Sequence, residues 1–424
     1  MKKWPLFFLI ITFLSCSRST EECIPKLSHV NVIDHQGMSE TFSSQDRLKQ
    51  FEEINFSQSQ PYQKALRIYE RDSNGNIKAI VTSYYPNGTI KQYLEILNNR
   101  AFGVYREWFS DGVLKVEAHI IGGNPDLGPS AEKTWLFDGI CKAWDEKGNL
   151  EAEIFYCKGE LEGVSSYYHK NGNLWKRVPF QKNAIQGCYE IYLSDGSLLQ
   201  TTSYQKNKKH GLSKRFWNNQ SLAAEEYFEE DDLIEGKYFD LSGALVSSVV
   251  NGNGFQALFG KEQVNELHEI QDGKFEGEVK VFQTNGELKC IYHVKENLKH
   301  GEEVVFQPKR RSQDIIPQIT IDWYEGKIHG IVRTWYNNGV MESQKEMSQN
   351  NRNGLSTAWY QDGSLMLVEE YEQDKLIKGD YFKKGERIPS SYVHEGSGVA
   401  SLFDKDGHFL RKIIYHNGKP TIEN

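Results

Sequence analysis

The chain has little proline and little methionine, 11 and 5 in 424 residues. Its six cysteines form no Cys-x-x-Cys pair, which removes the usual zinc framework. They are also too scattered for a disulfide framework: one bridge among Cys141, Cys157 and Cys188 or buried free thiols are the two readings left. Positive charge is not in excess. A net charge of -8 argues against a protein that tracks nucleic-acid phosphates, and Lys309-Arg310-Arg311 is too small a basic patch to change that. No apolar run is long enough to span a bilayer. Catalytic motifs are missing as well. There is no nucleophile elbow and no Walker lysine; Gly252-Asn253-Gly254 lacks the third glycine of a phosphate cradle, and His268-Glu269 lacks the second histidine of a zinc-protease helix. The expectation is a protein that is not an enzyme and carries no cofactor or metal.

Glycine and aromatics are what the chain has: 36 Gly, 22 Tyr, 22 Phe and 9 Trp. Their placement follows one rule. A glycine is followed five residues later by an aromatic, as in Gly103/Trp108, Gly139/Trp144, Gly163/Tyr168, Gly187/Tyr192, Gly211/Phe216, Gly330/Trp335 and Gly354/Trp359. A second glycine usually follows four residues after the aromatic, behind Asn, Asp or Lys. Asn87-Gly88, Asp111-Gly112, Asn171-Gly172 and Asp362-Gly363 read as tight hairpin turns with positive φ. Two and eight residues past the turn glycine lie apolar side chains, such as Leu150 and Tyr156 or Leu365 and Tyr371, an even separation that puts both on one face of a strand. Each unit is therefore a β-hairpin with one apolar face, marginal alone and stable only when neighbours cover that face. The predicted fold is all-β: an elongated solenoid, or single extended antiparallel sheet, of stacked β-hairpins.

Leading glycines recur every 24 residues at 139, 163, 187 and 211, again from 277 to 301, and from 330 to 354. The stretch from Leu233 to Phe259 resembles that from Leu376 to Phe403, each a shortened unit around Gly236 or Gly379 leading into a full one. This implies two six-unit modules, residues 135–270 and 271–424, preceded by opening repeats and an insertion over 65–134. Two insertions, Gly122 to Lys133 and Pro308 to Pro317, read as solvated linkers, with binding loops as the alternative. A short helix is expected around Ser44 to Ile54, with Ser44 as cap and Asp46 in its first turn. The remainder of 16–64 reads as tether and cap.

Residues 1–15 read as a signal peptide: Lys2 and Lys3 precede the apolar run Trp4 to Leu14, which ends in small residues. The stretch Phe13-Leu14-Ser15-Cys16 resembles the lipobox of bacterial lipoproteins, which implies a diacylated Cys16 at the mature N-terminus; the alternative is an ordinary signal with an incidental cysteine. Ser17 is not the retention aspartate, which favours an outer-membrane address, on its periplasmic face or the surface.

Candidate site residues are few. His210, His300 and His329 each precede a leading glycine, but at 90 and 29 residues apart they cannot share a metal, so a turn role is expected. The acidic run Glu225 to Glu235 fits no EF-hand and reads as a solvated turn. Trp108, Trp144, Trp335 and Trp359 are expected in the core; ligand stacking by exposed rings is the other reading.

The segments YYPNGTIKQY, LKHGEEVVF and GKIHGIVRTWYNNG resemble the MORN-variant repeat of bacterial proteins, over about residues 75 to 420. The resemblance implies hairpins stacked into a sheet. For function it implies a protein-binding scaffold, a carbohydrate- or wall-binding module, or an antitoxin or immunity protein. Together with Cys16, the expected partners are a protein and, through the lipid, a membrane, with a glycan as alternative.

Overall fold

The computed structural model describes residues 26–308 and 316–421. The signal sequence, Cys16 and most of the second insertion lie outside the described residues. The chain divides into two compact units, Met1–Glu160 and Leu161–Asn424. Among the described residues there are thirty-six strands and two short helices, and no helix is long and apolar enough to cross a membrane.

In the first unit the strand Leu27–Ile33 pairs with Ser39–Phe42 on one side and Lys64–Arg71 on the other. From there each strand pairs antiparallel with the next, through Ile77–Tyr84, Ile90–Leu97 and Arg100–Trp108 to Leu150–Cys157. Within the stretch read as tether and cap, these two opening strands were not foreseen. In LSHVNVI, Leu27, Val30 and Val32 are buried against Phe42, a pattern too short and too diluted by polar residues to stand out. The helix runs Gln45–Glu52, with Ser44 at the cap position in extended conformation but making no side-chain cap bond; it buries Leu48 and Phe51 on the same cluster.

The first insertion is also corrected. It is no solvated linker: a turn of helix, Pro129–Glu132, leads to Trp135, which is buried with its ring 4.8 Å from that of Tyr105. Glu132 accepts from Gln92 at 3.0 Å, and Lys64 pairs with Asp126. The insertion covers the cluster formed by Leu94, Ile96 and Ile120, which would otherwise be an open sheet face.

In the second unit every strand from Gly163–Tyr168 to Phe409–His416 pairs antiparallel with its chain neighbours, a linear row without crossovers. The aromatic five after the leading glycine closes its strand at the same place each time, in both units. Trp144, Tyr168 and Trp359 face Leu150, Leu174 and Leu365.

The glycines work differently from the expectation. The turn glycine does take positive φ, as Gly88 (86°) and Gly363 (82°) do, but the Asn or Asp before it does not. Its side chain instead accepts the N–H two residues on, as Asn338 does from Val340 (3.1 Å) and Asp362 from Ser364 (2.9 Å). Two-residue turns with both φ positive sit at the other end of the strands, at Lys182-Asn183, Lys206-Asn207, Gln349-Asn350 and Gln373-Asp374. The leading glycine lies in or at the start of a strand. Gly330 (φ 119°) follows a register shift, and a Cβ there would sit 2.7 Å from that of Asp322, whose carboxylate takes the Ile331 N–H at 2.8 Å.

Twice in the second unit the row turns a corner. Along straight stretches each hairpin tip bonds to the tip before it, as Asn207 N–H does to the Ile185 carbonyl (3.0 Å). At the first corner three tips close a ring: Gly252 donates to Ile234 (2.8 Å), Gly273 to Gly252 (2.8 Å), and Leu233 to Gly273 (2.9 Å). The second corner repeats it with Gly396, Ile377, Gly418 and Leu376 at 2.9 to 3.1 Å. Any side chain at Gly252 or Gly396 would strike the next tip's backbone nitrogen, at 2.7 and 2.6 Å. Each ring wraps one fully buried tyrosine, Tyr238 or Tyr381, whose ring folds over the glycine two residues earlier.

Candidate binding surfaces

The core of the corners is polar at its centre. Tyr238 donates its hydroxyl proton to Glu226 (2.9 Å), and Tyr381 to Glu369 (2.8 Å), where Tyr371 donates as well (3.1 Å). Burial first, then the facing carboxylate, push these tyrosine hydroxyls far above their usual range. A second buried ring lies six residues after the leading glycine. Trp217 donates to the Phe239 carbonyl (3.2 Å), and Tyr360 donates to that of Phe382 (2.7 Å).

This placement corrects the reading of Trp144, Trp335 and Trp359 as core, while Trp108 does pack against the cluster of Val30 and Phe42. All four are half-buried, and after Trp335 and Trp359 alternation along the strand sends the next residue inward instead. Tyr336 and Tyr360, and Trp217 after Phe216, carry the burial.

The histidines do not hold turns. His210 and His329 lie within strands, and His300 sits between the strand segments Leu298–Lys299 and Gly301–Phe306. His300 and His329 both pack on the Tyr324 ring, at 5.1 and 6.1 Å. The acidic run is dispersed rather than gathered. It forms two strands and the tip between them, with Glu225 paired to Lys214, Glu230 to Lys208, and Asp231 accepting the Lys209 N–H. Cys141, Cys157 and Cys188 are free thiols, as is Cys290, but they are not fully buried: Cys157 and Cys188 are exposed. Burial raises the Cys141 thiol to about 11.

Two surfaces stand out in the second unit. The first is a row of side chains that sit beside one another across successive strands: Val164, Pro179, Cys188, Ser203, Leu212 and Tyr227. Val164, Leu212 and Tyr227 are exposed by 46%, 44% and 40%, which is unusual for apolar groups aligned on one sheet face. The second is a cleft before the second corner, of about 570 Å³, lined by Lys345, Arg352, Ala358, Tyr371 and Lys405 among others. Nothing in the sequence pattern marked the cleft, since its walls come from strands far apart in the chain.

Solved structures that resemble this chain are remote. A TcdB2-TccC3-TEV toxin complex is 12% identical over 92% of this chain and 21% of that one, with a TM-score of 0.16. A Photorhabdus luminescens Tc holotoxin pore is 12% identical over 84% and 21%, with a TM-score of 0.12. A porin-like protein from Bacteroides uniformis is 9% identical over 61% and 96%, at 0.14. This chain thus spans about a fifth of each toxin chain, and none of these likenesses carries an argument. A search of curated proteins finds no match. The family comparison is more telling: four segments of this chain, residues 78–98, 137–158, 161–182 and 328–349, match the MORN repeat variant, and each match spans a tip-to-tip hairpin of the kind described above.

Proposed function

We propose that the protein is a non-enzymatic, lipid-anchored repeat protein of a bacterial envelope that docks a partner protein on its second unit. The observation that carries the reading is the exposed apolar row from Val164 to Tyr227. Its side chains lie on successive strands, about 4.8 Å apart, so it fits an extended segment laid across those strands with apolar side chains turned to Val164, Leu212 and Tyr227. The anchor rests on the lipobox-like stretch ending at Cys16, and the outer-membrane address on Ser17.

The test uses the exposed Cys188 as the attachment point for a photo-crosslinker. A protein adduct is expected in the parent chain and lost in Val164→Glu/Leu212→Glu. An adduct indifferent to those substitutions, or one formed only with glycan, rejects the docking row. Incorporation of a palmitate analogue, abolished by Cys16→Ala, checks the anchor separately.

A further inference from the structure

We propose that the cleft before the second corner binds an anionic saccharide, with Lys345, Arg352 and Lys405 taking the acid group. The argument rests on the two corners being copies of one another. Residues 187–239 correspond to 330–382 at a constant offset, because Gly211 faces Phe228 as Gly354 faces Tyr371, and Glu226 faces Gly236 as Glu369 faces Gly379.

In the first corner the corresponding space is full. Arg215 extends over the Phe259 ring, its Cζ 5.5 Å from the centroid, and its Nη1 donates to Gln200 (3.4 Å). Gln200 in turn donates to Thr202 (3.1 Å), whose hydroxyl meets that of Ser213 (3.2 Å). The chain of bonds closes the site with its own side chains.

In the second corner Ala358 stands where Arg215 does, and Ser343 where Gln200 does. Two long side chains are replaced by short ones, and the cleft of about 570 Å³ is what remains. One further difference adds charge: Lys345 replaces Thr202, whereas Arg352 stands where the equally cationic Lys209 lies over the Phe228 ring at 4.7 Å. Arg352 lies 3.9 Å over the Tyr371 ring. Arg352 has a partner in Asp374, its Nε 3.6 Å from Oδ1, but the buried Glu369 does not answer Lys345, since its oxygens accept from Tyr371 and Tyr381. Lys345 and Lys405 are exposed and make no ion pair among the described residues. Free ammonium groups beside aromatic faces call for an anion that also has an apolar face.

A second hollow of about 380 Å³ continues the cleft, sharing Thr334, Tyr336, Glu342 and Lys405 with it. Its own contribution is Trp335 with the amides of Gln318, Asn337 and Gln361. A half-buried indole flanked by amides suits a pyranose, whose C–H face packs on the ring while its hydroxyls exchange hydrogen bonds with the amides. The lysines then take a carboxylate on the same or the next sugar. An acidic peptide would satisfy the lysines but has no polyol for the amide row.

The full chain would be titrated calorimetrically with trisaccharides of galacturonic and of glucuronic acid, with the neutral galactose trisaccharide, and with tri-glutamate. At least one uronate should bind, and the neutral sugar and the peptide should each bind at least about tenfold more weakly. Ala358→Arg and Lys345→Thr should each weaken uronate binding by at least about tenfold. Both place in the second corner a residue with which the first corner already folds. Arg215→Ala, in the first corner, should leave binding unchanged. Binding of neither uronate, equal binding of the neutral sugar, tighter binding of tri-glutamate, or insensitivity to Ala358→Arg would overturn the proposal. Those results leave the docking row untouched, because it lies on other strands.

Discussion

The two corners of the second unit share a backbone and differ in what fills them. Both close three hairpin tips with the same ring of hydrogen bonds, and both bury tyrosine against one glutamate, Tyr238 on Glu226 in the first and Tyr381 with Tyr371 on Glu369 in the second. The first corner then completes itself with Arg215, Gln200 and Trp217; the second has Ala358, Ser343 and Tyr360 at those places. Backbone contacts thus set the bend, and side chains decide whether the bend is solid or hollow. A duplicated scaffold can keep one element for stability while the other is free to acquire a ligand.

The largest effect is expected where both corners are alike. A Cβ at Gly254 would lie 2.1 Å from the Ser248 carbonyl oxygen, and one at Gly398 would lie 2.4 Å from that of Tyr392. Gly254→Ala and Gly398→Ala should each destabilise the unit by about 3 kcal/mol. Gly301→Ala, with its nearest neighbour at 3.9 Å, should cost about 1 kcal/mol, from its positive φ alone. Equal losses in urea unfolding would show that the corners are no tighter than a straight stretch.

Next come the central tyrosines. Tyr381→Phe strips a hydrogen bond from Glu369, which is 8% exposed, and should cost about 2 kcal/mol. Tyr238→Phe should cost about 1 kcal/mol, because Glu226 is less buried; each carboxylate keeps one other bond, from Gln256 (2.8 Å) or Tyr371 (3.1 Å). Hydrogen exchange at Val393 and Val249 reads the two corners separately. The reverse order would mean that burial of the carboxylate does not set the cost.

Alkali should then split the corners. Burial raises Tyr336 and Tyr360 to about 12, from an ordinary value of 10.0, whereas Leu193 and Trp217 in their places do not titrate. Since the folded state resists ionisation, the stabilisation these phenols give is complete below pH 10 and lost as the pH rises towards 12. The second corner should lose amide protection in that window before the first does. Tyr360→Trp should narrow the gap, because the indole of Trp217 already makes the equivalent bond to the backbone. If both corners open together, the difference in rings is immaterial.

The smallest effects are expected at the clasps between tips. Asn207 accepts the Ile185 N–H (2.7 Å), and Asn350 that of Ile328 (2.8 Å), each from a residue of positive φ. Asn207→Gly and Asn350→Gly keep that conformation accessible and remove only the clasp. Each should cost about 0.5 kcal/mol, equally in the two copies. Unequal costs, measured by the same exchange experiment, would show that the copies diverge before the corner.

The hairpins were legible because their signal is local. Glycine, the aromatic five residues on, and the alternating apolar pair lie within one unit, and strand pairing with the neighbour needs nothing further. The helix Gln45–Glu52 was legible for the same reason. Three features were misread where the meaning of a residue depends on its partner across the sheet. His329, before a leading glycine, looked like a turn residue until the bulge opposite Asp322 gave it and Gly330 a place inside a strand. Trp335 and Trp359 at position five looked like core until alternation made Tyr336 and Tyr360 the inward residues. The insertion Gly122 to Lys133 looked solvated until Trp135, just beyond it, was seen against Tyr105.

By itself the amino-acid order determined the repeat, its antiparallel hairpins and the kinship of the segments beginning at Leu233 and Leu376. Those follow from spacing, and spacing is all that a backbone of successive strands requires. Only the tertiary structure decided that these segments bend the sheet into rings, which rings of atoms are sealed from water, and that one bend is hollow. The reason is that free volume belongs to no single segment: the space before the second corner exists because Ser343, Ala358 and Phe403, on three different strands, together fail to fill it.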